Sequence, residues 1–211
     1  ARSYYQELRR ESGEDEPTRR RAAQATFRVG NIEHALGNQD TAEAAYAAAE
    51  REFAALARDF PTNRDYRRRQ AGALDNLGRM LELRGKPAEA ADKFRSALQL
   101  QEQLAKENPA DPVARRDVAH THAIQAWHFQ QVGDSKAAER EHRTALKLRE
   151  ELAAEFPKSP DALLDVAHTR SDLGQLLVQS GRLKEADKML GAARDVLLEL
   201  LKPDPTVREY R

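Results

Sequence analysis

The chain has no cysteine among its 211 residues, which excludes disulfides and thiolate metal ligands. Long apolar runs are missing too. Charged residues make up 33% and mean hydropathy is -0.81, so no segment can span a bilayer as a helix. Neither sign of charge is in excess, with 35 Lys+Arg against 35 Asp+Glu. That balance argues against a general nucleic-acid or membrane-surface binder, which usually carries a basic excess. No Gly-rich phosphate loop, Ser/His/Asp arrangement or paired-carboxylate motif stands out from the charge background. No catalytic role and no cofactor are therefore expected.

What the chain does have is a period. Gly37, Gly85, Gly133 and Gly181 stand 48 residues apart, as do Pro61, Pro109, Pro157 and Pro205, and Ala42, Ala90, Ala138 and Ala186. Self-similarity at a fixed interval of tens of residues marks stacked units, each burying its apolar face against its neighbours. Within one unit the pattern becomes helical twice. Asn63 precedes apolar residues at Tyr66, Leu74, Leu77, Leu81 and Leu83, spaced as one helix face. Asp15, Asn63, Asp111 and Ser159 share one repeat position, and all four are types that cap helix N-termini. Gly85 and its equivalents then suit the left-handed position just past a helix end. A second helix is expected from Pro87 to Glu107, stopping before Asn108-Pro109, because proline disfavours helix in the residue preceding it. Each unit thus reads as an antiparallel pair of helices of about 20 residues, roughly 30 Å long. Gly30, Gly78 and Gly174 recur in mid-helix, where glycine costs about 1 kcal/mol against alanine, so close helix approach is expected there.

The expected organisation is the end of a preceding helix over 1–12, repeats over 13–60, 61–108, 109–156 and 157–204, and the start of a further repeat over 205–211. On that division both ends break mid-repeat, as in a portion excised from a larger protein.

At these residues the chain resembles the tetratricopeptide repeat. Leu74, Leu77-Gly78, Leu81, Ala90, Phe94 and Ala97 follow that family's pattern, and Leu173-Gly174, Leu177, Ala186, Leu190 and Ala193 repeat it. The usual unit is about 34 residues, so both helices here are extended. Such longer units, with phrases like Phe-Pro-x-x-x-Asp-Tyr-Arg, resemble arrays appended to bacterial serine/threonine protein kinases. The resemblance implies an all-α, right-handed superhelical solenoid of helix hairpins. It also implies a non-catalytic scaffold or recruitment module in a cytoplasmic bacterial signalling protein.

The family's groove positions, carried over, place Asn31, Arg79, Trp127 and Gln175 in one row. Gln24, Gly72, His120 and His168 form a second row, and Phe27, Asp75, Ala123 and Ser171 a third. Arg20, Arg68 and Arg116 lie one turn earlier and would make a basic ridge. The implied partner is a protein or peptide segment, acidic if the ridge is read literally, with no nucleic acid and no membrane. Trp127 reads equally as a binding anchor and as a residue filling a helix gap, and the arginines more simply pair with Asp65, Asp117 or nearby glutamates. The histidines lack the clustering a metal needs, since His120 and His122 splay apart on a helix and no carboxylate cluster joins them. His142 stands at an aromatic packing position. A second reading is self-association, with a homodimer formed through repeat ends or outer faces.

Overall fold

The computed structural model describes residues 15–201, and the segments expected over 1–12 and 205–211 lie outside the described residues. Among the described residues there are eight helices and no strand. They are α1 Glu16–Ala35, α2 Gln39–Asp59, α3 Arg64–Leu83, α4 Pro87–Glu107, α5 Pro112–Gln131, α6 Ser135–Glu155, α7 Pro160–Gln179 and α8 Leu183–Leu200. None is long and apolar enough to cross a membrane. The chain divides into two compact units, up to His128 and from Phe129 onward.

Local chemistry sets the helix bounds. Gly37, Gly85, Gly133 and Gly181 all adopt positive φ, from 71° to 82°, a region where a Cβ would be strained. In the Lys86 turn the backbone N–H donates to the Leu81 carbonyl at 2.9 Å, and that of Gly85 to the Glu82 carbonyl at 2.9 Å, so carbonyls at the end of α3 are satisfied. At the N-termini, Asn63 Oδ1 accepts from the Asp65 N–H, Asp111 Oδ1 from that of Val113, and Ser159 Oγ from that of Ala162. Asp15 departs from this pattern and makes no side-chain cap. Pro17 occupies the second helical position and has no N–H to give, which removes one of the two donors an N-cap side chain ordinarily uses.

In the first unit α1 packs on α2, α2 on α3 and α3 on α4. One apolar cluster joins Tyr46, Leu77, Met80, Leu81 and Phe94, and another joins Ala23, Phe53, Leu56 and Tyr66. The recurring glycines do bring helices close, by a contact the pattern did not specify. A Cβ at Gly78 would lie 2.5 Å from the Phe94 ring, and one at Gly30 would lie 2.7 Å from the Tyr46 ring. Each glycine is a socket for a side chain sixteen residues ahead. In the second unit Gly174 takes Leu190 in the same way, at 2.7 Å. There Leu146, Val166, Leu173, Leu176 and Leu177 form the core, with Phe129 and Met189 packed against it. His142 is fully buried in this unit, with Nε2 facing Gln130 Oε1 at 3.3 Å, and burial holds its pKa below the usual imidazole value.

Candidate functional site

A groove of about 430 Å³ opens on the first unit. Most of its lining comes from one stripe of α3, where Arg68, Gly72, Asp75 and Arg79 recur at helical spacing. Asp117, His120 and Ile124 of α5 form another wall, with Phe27, Phe53 and Gln101 contributing from α1, α2 and α4.

The charges around the groove are mostly matched. Arg68 donates through Nε to Asp117 Oδ2 at 2.5 Å and through Nη2 to Oδ1 at 3.4 Å. Arg69 is paired with Asp65 on the same helix at 2.5 Å. Arg79 lines the groove, is exposed, and makes no hydrogen bond or ion pair within the described residues.

The floor carries the unusual chemistry. Asp75 and Gln101 are each 5% exposed. Asp75 Oδ2 accepts from the Thr121 hydroxyl at 3.0 Å and from Gln101 Nε2 at 3.4 Å. Asp75 Oδ1 and Gln101 Oε1 are buried with no donor. A buried acceptor without a partner carries a desolvation penalty of about 1–3 kcal/mol. Burial pushes the Asp75 carboxyl up to about 7, against the lowering effect of its bonds from Thr121 and Gln101. Farther along the same two helices, His128 Nδ1 meets Glu82 Oε1 at 2.9 Å, a second buried polar contact between α5 and α3.

Of the residues singled out in the sequence, Arg68, Arg79 and His120 are brought together in this groove. Trp127 is on the same unit, 38% exposed, one turn past Ile124 on α5 and not among the groove residues. Asn31 is exposed on α1, where its Oδ1 accepts from the Tyr46 hydroxyl at 2.9 Å. Arg20 and Arg116 are exposed on α1 and α5. Arg68 is committed to Asp117, so the three arginines do not present three uncommitted charges. His168 and Gln175 are exposed on α7 in the second unit. Among the described residues no group of three or more His, Asp or Glu is placed to hold a metal. Sequence reasoning put Asp75 in a surface row and missed its burial. The available signal was its row, which otherwise holds Phe27, Ala123 and Ser171.

Residues 70–111 and 166–206 match the family model described as tetratricopeptide repeat. No curated protein sequence matches the chain. Among solved structures, the chain is similar over its full length to BtubC (BKLC) from P. vanneervenii, covering 77% of that protein at 18% identity and a TM-score of 0.75. It is also similar to the apo form of RapI, over 94% of this chain and 63% of RapI, at 15% identity and a TM-score of 0.69. The chain therefore carries tetratricopeptide-repeat sequence in two segments and folds as tetratricopeptide-like helix hairpins.

Proposed function

We propose that this chain is a protein–protein interaction module whose first unit holds a partner segment in the α3–α5 groove, within a larger cytoplasmic bacterial signalling protein. Gly72 carries the reading. It sits inside α3, where glycine costs about 1 kcal/mol relative to alanine, yet a Cβ there would meet nothing within 4 Å. No packing demand explains it, and it borders the groove. A helix that gives up stability to keep a groove open is what a docking surface requires.

The test is partner capture by the immobilised chain. Gly72→Leu should fill the groove, remove capture, and leave the melting temperature equal or higher. Trp127→Ala should weaken capture by about 2 kcal/mol with an unchanged melt, because an exposed aromatic beside a groove supplies desolvated contact area. A partner with acidic flanks would gain association rate from Arg20, and lose it in salt. Capture indifferent to both substitutions would place the binding surface elsewhere. One observation favours self-association as a second reading: Leu183, Leu198 and Leu201 near the end of the second unit are 63%, 54% and 78% exposed. Light scattering coupled to size exclusion separates the two, since only self-association gives a concentration-dependent mass.

A further inference from the structure

Resting on the reading of the groove as a docking surface, we propose that its floor recognises a carboxamide, the side chain of an asparagine or glutamine in the partner segment. Asp75 Oδ1 and Gln101 Oε1 are two acceptors without donors, both on buried residues that line the same cavity. Arg79, one turn beyond Asp75 on α3, brings donors that nothing among the described residues uses. The complement must therefore place two N–H donors at the floor and one acceptor toward Arg79.

A carboxamide has this set in one planar group: two N–H donors and one carbonyl oxygen. The other common side-chain termini fail on one count each. An ammonium or guanidinium supplies donors alone, would be desolvated, and would face the like charge of Arg79. A carboxylate supplies acceptors alone and would set its oxygens against those of Asp75 and Gln101. A backbone amide has a single N–H and leaves one floor oxygen without a donor. The charge balance agrees, because Arg68 is matched by Asp117 and Arg69 by Asp65, leaving one acid and one base for a neutral, dipolar guest.

The experiment is an NMR titration of the whole chain at about pH 8.5, where the Asp75 carboxyl is ionised and both floor oxygens are acceptors, following the Asp75 carboxyl carbon and the Gln101 side-chain amide. The probes are N-acetylglutamine methylamide and the matching lysine and glutamate compounds, which share every backbone group. The glutamine probe should shift both resonances and bind about tenfold tighter than either comparator, the difference expected from one or two hydrogen bonds. Arg79→Met should remove most of that preference. In Asp75→Asn the floor gains a donor and the order should invert toward the glutamate probe. Should that variant fail to fold, Gln101→Met serves in its place and should erase the preference. Tighter binding of the lysine probe, equal binding of all three, or an unmoved Asp75 signal would overturn the proposal. Loss of capture in Gly72→Leu without any glutamine preference would sink this inference alone. Glutamine binding with capture unchanged in Gly72→Leu would instead sink the docking reading.

Discussion

Gly78→Leu should destabilise the first unit by about 3 kcal/mol or more, at the upper end of what overpacking costs. The Phe94 ring lies where the first added carbon would go, at 2.5 Å, with two further ring atoms at 2.8 and 2.9 Å. Both residues are buried, so neither can swing into solvent. The helix propensity gained on replacing glycine, about 1 kcal/mol, offsets only part of that strain. Two comparisons make the result diagnostic. Gly72→Leu changes the same residue type on the same helix, six positions away, and should cost nothing in a urea melt. The pair Gly78→Ala with Phe94→Leu should cost less than the sum of its two single substitutions, since the smaller side chain vacates the space the alanine needs. Additive costs in that pair would show that the ring and the glycine are not in contact.

The second large effect lies in the pH dependence of stability. Burial pushes Asp75 up to about 7, while in the unfolded chain it titrates near the ordinary value of 3.8. Between those values the folded state holds a proton that the unfolded state has released. Stability therefore falls as pH rises through the window, and above about 7 the full cost of the buried carboxylate applies. A displacement of about three pKa units corresponds to about 4 kcal/mol at most. Asp75→Asn removes the titration and keeps the shape. Urea unfolding at pH 5 and pH 8 should show the asparagine variant gaining on the parent as pH rises. Groups that titrate alike in both proteins, such as buried His142, cancel in the comparison. A difference independent of pH would mean that Asp75 is solvated and charged throughout.

Much of the fold was legible because it rests on local rules. Asn63, Asp111 and Ser159 cap helices because their side chains reach an adjacent backbone N–H, and the turn glycines adopt positive φ because no other residue does so without strain. The site was less legible, because it depends on which side of a helix faces a neighbour far along the chain. Gly72 and Gly78 show the difference. Gly78 shares its position with Gly30 and Gly174, and the repetition signals a constraint. Gly72 shares its position with Gln24, His120 and His168, so large side chains fit there and the glycine is a local departure. Asp75 was misplaced because a charged residue on a polar helix reads as solvated. Its burial comes from Thr121 and Gln101, 46 and 26 residues away. The Arg68–Asp117 pair also spans 49 residues, yet it was legible, because Asp117 stands among the partners expected for these arginines.

The packing of α1 on α2, α2 on α3 and α3 on α4 has a kinetic consequence. Contacts between consecutive helices close short loops, and chains dominated by such contacts fold quickly because little loop entropy is lost before packing begins. Any of these pairs can act as the nucleus, and growth can proceed from it in either direction along the unit. The polar floor is the exception. Asp75 meets Thr121 only after the intervening helix has turned back, so the floor of the groove can close only once the helices between them have paired.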